Sequence, residues 1–433
     1  MKNRSIALLF FALSVLGVKA QSSAVSLSLD SAKMIALRYN KVLASKGLSV
    51  AVANQELWQS IAHGLPQAKA TYNYQDAMGA EIVLDMGVPG LPPNIIPIDP
   101  TQNIQFQVSQ LLFSGSYWVG MKMSRLAKEM QVLAYKQTEL DIAKQVSEAY
   151  YNILVAQETK QILSENLINL EQLLRNTETM VLVGVAESIS ADQLAVQVAA
   201  MRNTIAKVEQ QLELAHNMLR LQLGLGVEYP ITLSEQLKDM VDETEIVTLL
   251  MEPFNVNQHI GMRQMNTNLA LSKKQIQLAQ SSFLPTIAGF YNYTYKITTT
   301  AFDMQPKNMI GINASMPLFT SFSNYSKVKQ AKLKCRSVAY EKDNLKDQLS
   351  VQEKQLRFNL KSANESYKIQ QKNIDVSKRV FANISIKYEQ GVASALDIVN
   401  AHNNLLTAES NYITSIMELL QAQTALNNLL GKK

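Results

Sequence analysis

The two halves of this 433-residue chain repeat each other in order. Leu65-Pro66 followed by Tyr72-Asn73-Tyr74 returns as Leu284-Pro285 followed by Tyr291-Asn292-Tyr293, with the same internal spacing. Leu112-Phe113-Ser114 is answered by Leu318-Phe319-Thr320, Ala134-Tyr135 by Ala339-Tyr340, and Gly184-Val185-Ala186 by Gly391-Val392-Ala393. Asp192 to Gly226 and Asp397 to Gly431 are the same distance apart. A period this long makes each copy one structural unit that completes its packing against the other. We divide the chain into a first repeat at 21–226, a linker at 227–257 carrying Pro230 and Pro253, and a second repeat at 258–433.

Within each repeat the breakers are segregated. The chain has 16 Gly and 11 Pro, and most prolines fall between Pro66 and Pro100 or between Pro285 and Pro317. What lies beyond them in each copy reads as a long antiparallel helical hairpin, at 116–223 and 323–430. Val198, Met201, Ile205, Val208, Leu212, Ala215 and Leu219 alternate steps of three and four, as do Leu396, Val399, Asn403, Leu406, Ser410, Ile413, Met417 and Leu420. Such heptad-like seams belong to helices that run side by side. A 65-residue arm at 1.5 Å per residue is a rod of about 100 Å. Each rod turns back at a short break, around Val183, Gly184 and Val185 or around Gly391 and Val392.

Between the helices the period changes to two. Strands are expected at 67–76, 102–113, 285–296 and 308–319. Tyr72, Tyr74, Phe106, Tyr291, Tyr293 and Ile312 fall on one face, while amides and hydroxyls such as Asn73, Gln105, Asn292 and Asn313 fall on the other. A strand with lipid outside and water inside has this asymmetry. A half-buried antiparallel sheet in a soluble protein alternates the same way. If the apolar face meets lipid, four strands cannot close a barrel, which needs eight or more, and the open edges are intolerable in hydrocarbon. Closure then comes from other copies: three chains supply twelve strands, and their helices continue the wall as a tube.

Residues 1–20 bear on destination. Lys2 and Arg4 precede an apolar run from Ile6 to Val18, with Val18 and Ala20 before the cut, the pattern of a secretory signal peptide. Residue 21 is Gln, so no lipid-bearing Cys follows. Removing Lys2, Arg4 and Lys19 lowers the formal net charge from +5 to about +2, without a basic stripe to recruit nucleic acid. Cys335 is the single cysteine, which excludes a disulfide framework. His63, His216, His259 and His402 have no His, Cys or acidic neighbour at ligand spacing, and no nucleophile elbow, zincin or phosphate-loop motif occurs. We expect no enzyme, no metal and no cofactor.

The order of these features, from Leu29-Asp30-Ser31-Ala32 through Ala36 and Asn40 to the Leu-Pro pairs, Pro317-Leu318-Phe319, the Gly391–Asp397 tip and Leu430-Gly431, resembles the TolC-like outer membrane efflux proteins. The resemblance implies a mainly α protein with a transmembrane β-barrel: four strands per protomer in a trimeric twelve-stranded barrel, and helical hairpins forming an α-barrel across the periplasm. It implies an exit duct in the outer membrane of a Gram-negative bacterium, for a tripartite efflux or type I secretion system, with a periplasmic adaptor and an inner-membrane transporter as partners. It also implies a periplasmic gate in which Asp192 bonds Tyr388 and Asp397 forms a constricting ring, with the tips around Gly184 and Gly391 as docking points. The matching positions for a gate arginine and a second ring aspartate hold Ala393 and Asn400, so the charged latch is weaker here. Asp397 also reads as a helix N-cap. Leu111 stands where the second copy has Pro317, and the chain stops at Lys433, which implies a reduced equatorial belt built mostly from 227–257. The competing reading is a secreted or periplasmic coiled-coil scaffold without a channel.

Overall fold

A computed structural model describes residues 25–84, 94–298 and 306–432. The expected signal peptide and the Pro-Gly-Leu-Pro-Pro run at 89–93 lie outside the described residues. In chain order the elements are β1 (Val25–Leu27), α1 (Leu29–Tyr39), α2 (Lys41–Ala62), β2 (Gln67–Gln75), β3 (Glu81–Leu84), β4 (Asn94–Pro97), β5 (Thr101–Ser114), α3 (Gly115–Leu182) and α4 (Ser188–Leu223). There follow β6 (Ile231–Leu233), α5 (Glu243–Met251), α6 (Ile260–Ser281), β7 (Thr286–Lys296), β8 (Asn308–Ser315), α7 (Ser323–Glu389) and α8 (Ala395–Leu429). α3 has 68 residues and α7 has 67, so each is a rod of about 100 Å. Among the described residues no helix is long and apolar enough to cross a membrane.

Glycine sets the true register of the duplication. Gly184, Gly224, Gly391 and Gly431 all have positive φ, between 72° and 78°. At each, a Schellman-type pair closes the helix: Val185 N–H donates to the Met180 carbonyl, Leu225 to Arg220, Val392 to Lys387 and Lys432 to Asn427. The second member of each pair lies 207 residues after the first. Gly226 therefore does not answer Gly431, and Asp192 does not answer Asp397: counted from the turn glycine, Asp192 lies two residues deeper in its helix.

The main sheet is antiparallel in the order β2-β5-β7-β8. Its central pair, β5 with β7, joins the two repeats, leaving β2 and β8 as edges. Register stacks Tyr72, Ile104 and Tyr295 in one row and Ala70, Phe106 and Tyr293 in the next, with Tyr291 opposite Ile310 and Gly289 opposite Ile312. All six residues expected on the apolar face share it. The polar face carries Asn73 against Asn103, joined by a 3.1 Å amide hydrogen bond, and Gln107 against Asn292.

Two strand expectations need correction. β8 ends at Ser315 rather than 319, because Pro317 has no N–H to continue a ladder and the chain then turns through Ser321 and Phe322 at positive φ. Between the expected strands 67–76 and 102–113 the chain also carries β3 and β4, paired antiparallel through Ile82 opposite Ile96.

The helices pack as a layer below the sheet. Halfway down, the packing is thickest: β1 pairs in parallel with β6, and Tyr150 is fully buried, donating to the Leu27 carbonyl at 2.9 Å and to Glu235 at 2.7 Å. Glu235 also accepts from the Leu29 amide, so one carboxylate fixes the start of α1 against α3. Arg357 clasps the carbonyls that end α5, at Leu249, Leu250 and Glu252. The 227–257 segment thus packs against the long helices at this level.

Candidate functional site at the hairpin tips

The tips gather six buried side chains from four helices: Leu170 and Leu173 of α3, Leu194 and Val198 of α4, Tyr388 of α7 and Ile398 of α8. Val183, Gly184, Val185, Gly391 and Val392 form the turns beyond this plug. Val183, Val185 and Val392 are exposed apolar side chains there, together with Leu182 and Leu396.

The expected gate residues are not bonded as expected. The Tyr388 hydroxyl is buried against Thr177 at 2.8 Å, and Thr177 in turn donates to the Leu173 carbonyl. Asp192 is exposed on α4, and no bond joins it to Tyr388 in the protomer. Asp397 is the third helical residue, not the N-cap: Ser394 caps α8 and accepts from the Asp397 amide, while the Asp397 carboxylate accepts from the Ser394 hydroxyl at 2.7 Å and amide at 2.9 Å. Those bonds hold the exposed Asp397 carboxyl below its ordinary pKa, so it stays ionised. The first repeat has Glu187 at the cap position with no side-chain bond, and its tip is less tightly tied.

Sequence periodicity missed a polar thread running up from the plug. The buried stripe in the first half of α8 is Ile398, His402, Leu405 and Glu409, one residue off the expected Leu396-Val399-Asn403-Leu406 seam, and Leu396 is 60% exposed. A count of apolar residues picks the wrong stripe because His402 and Glu409 occupy core positions. Glu409 is held by the Asn166 amide at 2.8 Å. Asn166 and Thr177 stand in step with Leu170 and Leu173 on α3, so polar residues at seam positions were the available signal.

These groups titrate in opposite senses. Burial lowers the His402 pKa from 6.5; its Nε2 has no hydrogen-bond partner and its ring meets Phe381 edge-on at 5.6 Å. Its stabilising contribution is present above pH 6.5 and lost as pH falls through the lowered folded value. Burial raises the Glu409 pKa above 4.5, opposed by the Asn166 bond and Lys378; its contribution is present below pH 4.5 and lost as pH rises through the raised value. We expect the thermal midpoint to drop on acidification below pH 6.5 and His402→Phe to remove part of that drop, checked by melting the wild type and variant across pH 5–8.

Two open edges, a sheet with its aromatic face outward and a plug at the far end of long rods define a protomer of a channel wall. The model of the outer membrane efflux protein family matches residues 99–225 and 257–432, and the chain belongs to that family. It is similar to the outer membrane protein TolC of Vibrio cholerae, 20% identical over 327 residues, 72% of this chain and 74% of the relative. It is also similar to the pyoverdine export outer membrane protein OpmQ of Pseudomonas aeruginosa, 22% identical over 68% of this chain and 62% of that one. Among solved structures, CusC superposes with TM-score 0.77 at 16% identity, covering 96% of both chains. The open state of the Neisseria gonorrhoeae channel MtrE gives 0.73 at 17% identity, covering 93% and 89%. The protein is an outer membrane efflux component with a periplasmic helical extension and is not an enzyme.

Proposed function

We propose that three copies of this chain form the exit duct of a tripartite efflux pump, with an adaptor docking on the hairpin tips and an inner-membrane transporter supplying substrate. The observation that carries the reading is an inverted sheet. Tyr291, Tyr293 and Tyr295 are 43%, 37% and 56% exposed, while the alternating Asn292 and Thr294 are 8% and 9% exposed. Water would select the opposite arrangement; lipid outside and a hydrated lumen select this one. Along α7 a second apolar stripe, Leu333, Tyr340, Val351, Phe358, Ile369 and Val376, is exposed at steps of seven and eleven, and α4 presents Val196, Leu214 and Leu221. With β2 and β8 also unpaired on their outer sides, both flanks of the protomer call for a like neighbour, in a head-to-tail ring. The matching family is named for efflux and one relative for pyoverdine export, which supports the duct over the scaffold.

The gate follows from the tips. Tyr388–Thr177 bonding and the apolar plug hold the resting state, and a ring of Asp397 carboxylates favours cations at the narrowest point. Planar-bilayer recording tests this. A heat-sensitive trimer with conductance is expected; a soluble monomer that conducts nothing would sink the duct. Tyr388→Phe removes a bond worth about 1 kcal/mol and should raise closed-state leak by roughly fivefold. Asp192→Ala should leave leak unchanged, and Asp397→Asn should lower cation preference.

A further inference from the structure

Immediately below the sheet, the two descending helices carry the same exposed triplet. Trp118, Lys122 and Arg125 of α3 match Tyr325, Lys329 and Lys332 of α7, each pair 207 residues apart, the register set by the turn glycines. Trp118 is 53% and Tyr325 63% exposed, and the four cations are exposed. Spacing of four and three puts each triplet on one helical face. All six residues fall within the first ten or so of their helices, roughly 15 Å of axis. Carboxylates are sparse at this level: the first on α3 is Glu129, the first on α7 is Glu341, α6 contains no Asp or Glu, and Glu56 of α2 lies one turn below Ser60. Among the described residues, none of the four cations has an ion-pair partner.

Chirality fixes which side of the wall the triplets face. The Thr294 amide donates to the Lys307 carbonyl at 2.8 Å, so polar-face residues of β7 aim their amides at β8, and apolar-face residues aim theirs at β5. For an L-strand rising away from the helices, seen with the apolar face toward the viewer, β5 is then on the right and β8 on the left. α7 hangs to the left of α6, and Asn324, which donates to the Ser282 carbonyl, marks its right side. A right-handed helix descending from there brings Tyr325 round to the viewer. On α3, Tyr117 bonds the Ile61 carbonyl and Ser124 bonds Ser60, marking the side toward α2 on the right. Trp118 and Arg125 come round to the viewer in the same way. Both triplets therefore continue the apolar face of the sheet, not the lumen.

We propose that this collar binds the phosphates of anionic phospholipid headgroups in the periplasmic leaflet, with Trp118 and Tyr325 at the interface and Lys122, Arg125, Lys329 and Lys332 on the phosphates. The proposal rests on the barrel reading above. An aromatic ring followed by cations along one outward stripe matches the order of layers met on leaving the hydrocarbon, and the positive charge selects anionic over zwitterionic lipid. Lining the lumen is the role the chirality excludes.

The test is lipid retention by the purified full-length trimer, equilibrated with equal amounts of phosphatidylglycerol and phosphatidylethanolamine and analysed by native mass spectrometry. Wild type is expected to retain phosphatidylglycerol with roughly tenfold preference at low salt, falling as salt is raised. K122Q/R125Q/K329Q/K332Q should lose the preference while still assembling and conducting, and the charge-conserving K122R/R125K/K329R should keep it. The two half-variants, K122Q/R125Q and K329Q/K332Q, each give a partial loss and serve if the fourfold variant does not assemble. A conducting trimer without headgroup preference, or variants that keep it, overturns the collar and leaves the duct standing. A wild type that never inserts overturns both.

Discussion

With lysine in place of Phe106 or Ile312, the protein is expected to disappear from the outer membrane as a heat-sensitive trimer. Both side chains are exposed on the aromatic face, at 48% and 71%, on strands β5 and β8. A cation on the lipid face of a barrel costs about 2–4 kcal/mol near the bilayer midplane. In a threefold assembly each substitution is present three times, so the loss is multiplied where closure is cooperative. Gln107, one residue along from Phe106, faces the other way opposite Asn292. Gln107→Lys should insert and assemble normally and shift only ion selectivity. Membrane fractionation with unheated gels separates the outcomes. Equal tolerance of Phe106→Lys and Gln107→Lys would mean the faces have been assigned wrongly.

A single methyl group at Gly224 is expected to do comparable damage far from lipid. A Cβ there would lie 2.2 Å from the Tyr39 carbonyl oxygen and 2.8 Å from its carbon, at a φ of +72°. The elbow it meets is tightly made: Asn40 ends α1, caps α2 through Val42 and Leu43, and donates to the Gln222 carbonyl at 2.8 Å. Backbone cannot yield as a flexible side chain can. Gly224→Ala therefore carries left-handed strain of about 1–2 kcal/mol plus displacement of the elbow, and we expect a loss of roughly 3 kcal/mol or more. Gly184→Ala and Gly391→Ala share the backbone strain but meet nothing within 4 Å. They should lose only about 1 kcal/mol, and thermal melts of the three variants side by side test the difference.

Much of this architecture was legible because duplication and period are one-dimensional signals. Strand positions, long rods and turn glycines follow from where Gly, Pro and alternation fall, and the apolar face follows from parity alone. The site was harder. Asp192 and Asp397 look equivalent when counted from downstream glycines, but Gly224, not Gly226, is the residue that adopts positive φ. Tyr388 stands out in the sequence, but the Thr177 it bonds does not, since a threonine in a heptad carries no motif. The His402–Glu409 stripe was passed over for a similar reason: a buried polar residue looks like solvent-facing sequence until its Asn166 or Phe381 neighbour is seen. Pairing between distant helices is a property of three dimensions, and a single sequence does not encode it locally.

The central pairing of β5 with β7 has a consequence for the order of events in a newly made chain. The strands that meet there are separated by both arms of the first hairpin, the 227–257 segment and α6, from Ser114 to Thr286. Each helical hairpin is local and can zip as it emerges, but the first pair of strands, β2 with β5, must wait with one flank bare until nearly three hundred residues exist. Contacts of such long range are slow to form. The vulnerable species is therefore a part-made chain whose first helical hairpin is complete while the β7-facing edge of β5 is still bare.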